Sequence, residues 1–283
     1  MTTTAQTVYL NGEYLPLEQA RVPVLDRGFI FGDGIYEVVP AYNGRLFRWP
    51  HHLARLERSL AKVGIINPFD RDGWTAIVGE LINRHPWRDQ FVYLHITRGV
   101  AKRDHGFPAG VKPTVFAMAS ELLPPPLAQR TEGVAAVTLP DERWLHCDIK
   151  SISLLGNVLA RQAALDRGAV ECVMFRDGWL TEGSASNIWV VRDGRVLGAP
   201  PDHLILEGIR VGLMGELCAA SGIECETRRI LREEVFAADE LLLTSATKEV
   251  LAVTRLDGRP VGSGRPGPVW AQLYDAYQRA KAA

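Results

Sequence analysis

Cysteine is scarce in this sequence, and its placement excludes a disulfide-based domain. Four cysteines occur in 283 residues, and none forms a CxxC pair. Cys172 and Cys218 stand among apolar neighbours, where a buried small side chain is the expected role. A chain of this length can bury a sizeable core without covalent staples. The pattern predicts reduced thiols and a cytoplasmic protein.

The sequence also lacks an excess of charge of either sign. The 32 Lys and Arg residues nearly cancel the 33 Asp and Glu residues, which leaves a formal net charge of −1. No run approaches the roughly 18 apolar residues of a membrane-spanning helix. Residues 1–8 carry neither the basic segment nor the apolar core of a secretory signal. These absences predict a chain that binds neither nucleic acid nor a membrane.

Several motifs of common enzyme classes are missing. HExxH, the phosphate loop Gx4GK[ST] and the nucleophile elbow GxSxG do not occur, and the seven histidines are scattered. We therefore expect no metal site. The glycines of residues 32–34 do not match GxGxxG, so this segment taken alone is a turn.

The order of local signals predicts two domains that mix helices and strands. Asn11-Gly12 and Asn43-Gly44 favour tight hairpin turns, and apolar residues recur at helical spacing over residues 53–63. Residues 122–128 contain three consecutive prolines, which favour an extended connector, with a motif for a proline-binding module as the alternative. The expected division is a smaller N-terminal α/β domain (1–121), this linker, and a larger C-terminal α/β domain (129–283).

Lys150 stands out because it ends a largely apolar segment just before a predicted helix at residues 155–167. A solvated lysine is the ordinary alternative. A lysine in partly apolar surroundings is suited to act as an amine nucleophile. Glu182 follows within a run of small residues, and Gly208 precedes an apolar helix whose amino terminus could bind an anion. Each of these signals is weak by itself.

Together, six segments resemble the fold-type IV pyridoxal-phosphate enzymes, which include branched-chain and D-amino-acid aminotransferases and aminodeoxychorismate lyase. The resemblance covers the chain almost end to end and keeps the order of the family's motifs. It implies an enzyme with the family's two-domain α/β fold. The segments are residues 26–38 (DRGFIFGDGIYEV), 52–56 (HLARL), 148–151 (DIKS), 182–187 (EGSASN), 206–210 (LEGIR) and 244–247 (TSAT).

The resemblance implies pyridoxal 5'-phosphate as the cofactor and a role for each motif. Lys150 would form the Schiff base and move the proton between the substrate Cα and the cofactor. Glu182 would keep the ring nitrogen protonated, and Arg55 would bind the phosphate. Leu206 would pack against the ring. The remaining phosphate contacts would come from the segment of Gly208, Ile209 and Arg210 and from Ala246 and Thr247.

Two positions depart from the family's pattern. The family usually has threonine where this chain has Arg210, and commonly a hydroxyl residue where it has Ala246. Backbone N–H donors survive any substitution except proline, so we expect backbone contacts with the phosphate at both places. Thr247 is a weaker, compensating hydroxyl.

Substrate choice depends on the charged segment at residues 99–108. A solvated surface loop is the ordinary interpretation of such a run. Arg103-x-His105 nevertheless resembles the carboxylate trap of D-amino-acid aminotransferases, which reaches into the neighbouring subunit's site. With the Tyr36 hydroxyl, this pair would bind the substrate α-carboxylate, and Ser245 would line the substrate pocket.

The resemblance therefore predicts a homodimer with shared active sites that transfers amino groups between D-amino acids, such as D-alanine, and 2-oxo acids, such as 2-oxoglutarate, by ping-pong half-reactions. An R-selective amine aminotransferase, a branched-chain aminotransferase or aminodeoxychorismate lyase on the same fold is the alternative. A non-catalytic carrier of the cofactor is a further alternative, against which the intact set of Lys150, Glu182 and Arg55 argues.

Overall fold

The computed structural model describes residues 6–282, with the side chain of Arg210 excepted. The chain divides into two compact units. The first unit runs up to Leu123 and includes Ile149–Ser153, and the second consists of Pro124–Asp148 and the residues from Leu154 onward. Among the helices of the described residues, none is long and apolar enough to cross a membrane.

The segment Ile149–Ser153 belongs to the first unit, whereas the sequence analysis placed it in the C-terminal domain. Backbone hydrogen bonds explain this grouping, because Tyr36 N donates to Lys150 O at 2.9 Å and Ile152 N donates to Gly34 O at 3.1 Å. The segment thus extends the hydrogen-bonding pattern of a distant strand. Such a pairing leaves no local trace in the sequence.

The first unit is built on a six-stranded antiparallel sheet, in which the strand β3 (Gly34–Tyr42) carries both core and site residues. The strand order is β2-β1-β6-β5-β3-β4. The two predicted Asn-Gly turns are confirmed, since Asn11 and Asn43 adopt positive φ angles at the β1–β2 and β3–β4 hairpins. The strands are β1 (Thr7–Leu10), β2 (Glu13–Pro16), β3 (Gly34–Tyr42), β4 (Arg45–Leu46), β5 (Gln90–Thr97) and β6 (Thr114–Glu121).

Helices cover one face of this sheet. The predicted amphipathic helix is confirmed as α2 (Trp49–Lys62), and its Leu53, Leu56 and Leu60 are buried in the core. The sequence analysis missed α3 (Arg71–Asn83), which begins at Asp70, whose side chain accepts from Gly73 N at 2.8 Å. A short helix, α1 (Arg27–Phe31), precedes β3.

Alternation along β3 and β5 sorts side chains onto the two faces of the sheet. Ile35 and Val39 enter the core, and Glu37 is buried on the same side. Tyr36 lies on the opposite, partly open face, where the β3–β5 register sets it beside His95. The face away from the helices therefore holds the candidate substrate residue.

The second unit contains a mixed sheet of order β12-β11-β10-β13-β14-β7-β8-β9, with β15 paired to β14. Asp177-Gly178 and Asp193-Gly194 form turns with positive φ angles, and Cys172 and Cys218 are buried as predicted. The strands are β7 (Val134–Pro140), β8 (Glu171–Arg176), β9 (Trp179–Leu180), β10 (Asn187–Arg192), β11 (Arg195–Gly198), β12 (Cys225–Thr227), β13 (Glu240–Ser245), β14 (Glu249–Leu256) and β15 (Arg259–Pro260).

Two helices of the second unit were predicted from the sequence, and both are confirmed. The helix predicted over residues 155–167 ends one residue earlier, and the helix predicted after Gly208 begins at Ile209. A short helix starts at Leu127, inside the proline-rich segment expected to be extended. The helices are α4 (Leu127–Thr131), α5 (Leu155–Asp166), α6 (Ile209–Ala220), α7 (Arg232–Phe236) and α8 (Pro268–Ala282).

Candidate active site

Lys150 and Tyr36, two residues singled out from the sequence, lie together in the first unit. The Lys150 backbone is held on both sides, because its N–H donates to Ser59 Oγ at 3.3 Å and its carbonyl accepts from Tyr36 N. The Lys150 Nζ atom lies 4.1 Å from the centre of the Tyr36 ring. A cation at this distance is attracted by the ring face. The lysine amine is therefore oriented by the residue expected to contact substrate.

Arg55 lies on α2, one turn before the Ser59 that contacts the Lys150 backbone, and is fixed by a carboxylate that the sequence analysis missed. The Glu37 side chain is fully buried, and it accepts from Arg55 Nε at 2.7 Å and from Arg55 Nη2 at 2.8 Å. His52 Nδ1 lies 2.8 Å from the same carboxylate. Burial alone would raise the pKa of Glu37, but Arg55 and His52 outweigh it and hold the pKa far below its usual range. The bidentate pair fixes the orientation of the guanidinium.

A second missed group lies beside Tyr36 on the open face of the sheet. The Tyr93 ring centre is 5.9 Å from that of Tyr36, and the Tyr93 hydroxyl is 2.7 Å from His95 Nδ1. Burial raises the pKa of Tyr93 to about 12 and lowers the pKa of His95. Both groups are therefore neutral near pH 7. Only the register between β3 and β5 brings them to Tyr36, so no local pattern in the sequence indicates this group.

Glu182 occupies a buried site in the second unit. It pairs with Arg143, and its two oxygens accept from Leu206 N at 3.2 Å each. Asn187 Nδ2 lies 3.4 Å from the same carboxylate. Burial raises the pKa of Glu182 to about 7, although Arg143 opposes this shift. The carboxyl group is thus able to hold or release a proton near neutral pH.

Arg143, which the sequence analysis did not single out, is oriented by a further carboxylate. Asp141 accepts from Arg143 Nε at 2.9 Å and from Arg143 Nη2 at 2.8 Å. Burial opposes the ionisation of Asp141, but Arg143 outweighs burial and lowers the pKa to about 2. The guanidinium therefore bridges a firmly ionised carboxylate and Glu182.

Gly208 stands immediately before the amino terminus of α6, as predicted. A Cβ atom at this position would lie 2.1 Å from Asn187 Oδ1, so any other residue would require Asn187 or the helix start to move. Asn187 Nδ2 also donates to Leu206 O at 3.1 Å, which links the end of the 182–187 segment to the segment that opens the helix. Ile209 begins α6, and the side chain of Arg210 lies outside the described residues.

The turn after β13 contains the remaining residues that the sequence analysis assigned to the phosphate and the substrate pocket. Ser245 ends the strand, and its Oγ atom accepts from Lys248 N at 3.0 Å, which closes the turn around Ala246 and Thr247. The Lys248 Nζ atom donates to Glu171 at 2.9 Å. The turn therefore places Ala246 and Thr247 at the end of a buried strand.

Arg103 and His105 come together around one aromatic ring in the first unit. The Phe31 ring centre lies 5.5 Å from Arg103 Cζ and 5.3 Å from the centre of the His105 ring. Both side chains are exposed. Arg27 holds the backbone of this loop in place, since its guanidinium donates to the carbonyls of residues 104, 105 and 106 at 2.5–3.4 Å. The loop therefore holds the exposed side chains of Arg103 and His105 close to each other.

These groups fit the chemistry of pyridoxal phosphate. Lys150 supplies an amine and Arg55 an oriented guanidinium, which match an aldehyde and a phosphate respectively. Glu182 supplies a carboxyl group able to share a proton with a ring nitrogen. The amino terminus of α6, which begins directly after Gly208, supplies N–H groups for an anion. Within the described residues, no group of His, Cys, Asp and Glu side chains is arranged to hold a metal ion.

Comparison with known proteins shows the family of the chain. The family model described as "Amino-transferase class IV" matches residues 34–256. The chain is 40% identical over 273 residues to the D-alanine aminotransferase of Bacillus licheniformis and 36% identical to that of Staphylococcus haemolyticus, with 96% of each chain covered. The family predicted from the motifs is thereby confirmed.

Solved structures agree on the fold. The branched-chain aminotransferase of Thermoproteus uzoniensis with norvaline superposes with a TM-score of 0.88 at 26% identity, covering 98% of this chain and 95% of that one. The Escherichia coli branched-chain aminotransferase gives a TM-score of 0.92 at 23% identity, with 97% and 94% covered. A third branched-chain aminotransferase, solved with pyridoxamine 5'-phosphate, gives 0.90 at 24% identity, with 98% and 94% covered. The predicted fold class is confirmed, and the chain belongs to the class IV aminotransferase family.

Proposed function

We propose that this chain is a pyridoxal-phosphate-dependent aminotransferase that exchanges amino groups between D-amino acids, such as D-alanine, and 2-oxo acids, such as 2-oxoglutarate. The observation that carries the D assignment is the clustering of Arg103 and His105 on Phe31, above a loop that Arg27 holds in place. Relatives named D-alanine aminotransferase at 35–40% identity support the same assignment.

Lys150 carries the proton transfer in this proposal. Pyridoxal phosphate, when bound, supplies an electron sink for the carbanion that forms at the substrate Cα. The Lys150 amine would hold the cofactor at its aldehyde carbon. Once the substrate amine has taken its place there, the freed Lys150 amine would carry the proton between the substrate Cα and the cofactor. Its backbone bonds to Ser59 and Tyr36 and the neighbouring Tyr36 ring limit the positions that Nζ can adopt.

Glu182 and Arg55 are the proposed partners of the cofactor's ring nitrogen and phosphate. Glu182 would keep a proton at the ring nitrogen, and its pKa of about 7 suits the sharing of that proton. Arg55, whose guanidinium Glu37 orients, would bind the phosphate. The backbone N–H groups of Ile209, Arg210, Ala246 and Thr247 would contribute further phosphate contacts, and Leu206 would pack against the ring.

The carboxylate trap consists of Arg103, His105 and the Tyr36 hydroxyl. Arg103 offers a forked pair of donors, and His105 adds one further donor. Binding the α-carboxylate on this side presents the Cα–H of the D enantiomer to Lys150. Ser245 lines the pocket for the substrate side chain.

An exposed apolar face supports the prediction of a homodimer. Leu155, Val158 and Leu159 on α5 are 70%, 58% and 62% exposed, and they lie at helical spacing on one side. Clustered apolar surface of this kind marks a protein interface. We propose that a second copy of the chain covers this face and that each copy supplies its trap to the other. The cytoplasmic location stays a prediction.

Steady-state kinetics test the proposed reaction. We expect turnover of D-alanine with 2-oxoglutarate and little turnover of L-alanine, L-leucine or L-valine. Lys150→Ala should lose the yellow absorbance of the bound cofactor and nearly all turnover. Activity limited to L-branched substrates would overturn the D assignment. Continued release of pyruvate from aminodeoxychorismate without an amino acceptor would indicate a lyase.

Turnover of simple R-amines is the second kinetic test. It is needed because the fold alone does not determine the substrate, and the structural neighbours include branched-chain aminotransferases. An R-selective amine aminotransferase does not use an α-carboxylate. If the chain is such an enzyme, Arg103→Ala will spare turnover of a simple R-amine and D-alanine will be a poor substrate.

A further inference from the structure

Glu171 is a buried carboxylate to which the proposed reaction assigns no part. It lies at the start of β8, with 0% of its surface exposed. Its oxygens accept from Cys172 N at 3.0 Å, Ser184 N at 2.9 Å and Ser186 Oγ at 2.8 Å, and from Ser184 Oγ. Lys248 Nζ completes the set at 2.9 Å. A buried charge is retained only when it is fully paired in this way.

Two segments of the candidate site meet at this carboxylate. Ser184 and Ser186 belong to the loop that directly follows Glu182, and this loop is further closed by Gly183 N donating to Ser186 O at 2.7 Å. Lys248 closes the turn at residues 245–248 through its own N–H on Ser245 Oγ. The Glu171–Lys248 ion pair therefore connects the loop that follows Glu182 to the turn at residues 245–248.

Stability alone does not account for such a pair. A buried ion pair is often no more stabilising than apolar residues of similar volume, because both charges lose their hydration. The pair does fix positions, since five donors hold the Glu171 carboxylate in place and this carboxylate holds the Lys248 ammonium group. Burial would raise the pKa of Glu171, but Lys248 and Ser184 hold it below its usual range, so the pair stays ionised.

We propose that Glu171 and Lys248 are positioning residues that set the separation between Glu182 and the turn of Ser245, Ala246 and Thr247. The cofactor is a rigid ring with a short phosphate arm, so its ring nitrogen and its phosphate bind together only at one spacing. This inference rests on the proposed function, in which Glu182 binds the nitrogen and the turn binds the phosphate.

The test compares cofactors with and without the phosphate. Binding of pyridoxal phosphate and of pyridoxal to the apoprotein is measured by absorbance for the wild type, Lys248→Met and Lys248→Arg. We expect Lys248→Met to weaken pyridoxal phosphate about tenfold, which is the scale of one well-placed hydrogen bond. Pyridoxal, which makes no phosphate contact, should bind as to the wild type, and Lys248→Arg should restore most of the affinity for pyridoxal phosphate.

A double variant guards against a folding defect. Lys248→Met leaves Glu171 charged and unpaired, whereas Glu171→Gln with Lys248→Met removes both charges. We expect the double variant to keep the thermal midpoint of the wild-type apoprotein and still to bind pyridoxal phosphate weakly. Arg228→Met breaks the Arg228–Glu234 pair, 2.6 Å long and partly exposed in the same unit, and serves as the matched control with unchanged binding.

If Lys248→Met binds pyridoxal phosphate and pyridoxal equally more weakly than the wild type, the pair has a merely structural role. If its affinity for pyridoxal phosphate is unchanged, the pair has no role in binding the cofactor. Either result overturns the inference. Both leave the proposed function standing, provided that the wild type binds the cofactor and turns over D-alanine. A wild type that does neither overturns the proposed function itself.

Discussion

At the residue scale, the site is organised by carboxylates that hold cations in place. Glu37 orients Arg55, Asp141 orients Arg143, and Glu171 orients Lys248. The sequence indicated the cation Arg55 through a motif, but none of these three carboxylates, because each partner is distant along the chain or carries no pattern of its own. Residue types at motif positions are therefore predictable, whereas the groups that fix them depend on tertiary contacts.

Arg103 provides the first prediction at this scale. Arg103→Ala removes the forked donor to the α-carboxylate, so we expect kcat/KM for D-alanine to fall about 100-fold, in line with a lost charge-assisted pair. Arg21→Ala, an exposed arginine that bonds only to nearby carbonyls, is the control and should leave the kinetics unchanged. Unaltered kcat/KM in Arg103→Ala would show that the loop is an ordinary solvated surface.

Glu182 provides a prediction about pH. Its folded-state pKa of about 7 lies above the usual value of 4.5, so the folded state binds more protons between these values. Stability then falls as pH rises from below 4.5 to 7, by up to about 3 kcal/mol. Urea unfolding of the apoprotein at pH 5 and pH 7 should show this loss in the wild type and a smaller one in Glu182→Gln. Equal losses in both proteins would contradict the raised pKa.

At the element scale, local signals succeeded and pairings between distant segments did not. The Asn-Gly turns, the apolar stripe of α2 and the start of α6 depend on residues close in sequence, and all three are confirmed. The grouping of Ile149–Ser153 with the first unit and the meeting of Tyr93 with Tyr36 depend on register between distant strands. A one-residue shift in register would move every such side chain to the other face.

Gly208 tests the entry to α6. Gly208→Ala places a Cβ atom 2.1 Å from Asn187 Oδ1, which forces either the helix start or Asn187 to move. We expect at least about tenfold weaker binding of pyridoxal phosphate, the effect of losing one or two anion contacts. Gly215→Ala, in the same helix with nothing within 4 Å of the new methyl, is the matched control. It should bind normally and gain about 0.5–1 kcal/mol in stability. Normal binding by Gly208→Ala would remove α6 from the phosphate site.

Whole-molecule properties were predictable only in part. Balanced charge and the absence of a long apolar run excluded classes of protein, and the motif order indicated the family. The proposed homodimer rests on the resemblance and on the exposed face of α5, and neither composition nor net charge bears on it. Assembly depends on surface shape, which a single sequence does not display.

The α5 face tests the assembly. Val158→Glu introduces a charge into the proposed interface, so we expect a monomer in sedimentation and a loss of most D-alanine turnover, since a neighbouring copy would supply the trap. Glu233→Arg, a charge change at an exposed position on α7, should leave both properties unchanged. A fully active monomeric wild type would contradict shared active sites.

The central claim is the transfer of an amino group from a D-amino acid, and a single half-reaction tests it most directly. The wild type, loaded with pyridoxal phosphate, is mixed with excess D-alanine or L-alanine without an acceptor, and the cofactor absorbance is followed. D-alanine should rapidly bleach the yellow band with one pyruvate formed per site, and 2-oxoglutarate should restore the band. L-alanine should bleach the band at least about 100-fold more slowly, as expected for a misplaced Cα–H. Bleaching by L-alanine or L-leucine but not by D-alanine would contradict the proposed D specificity.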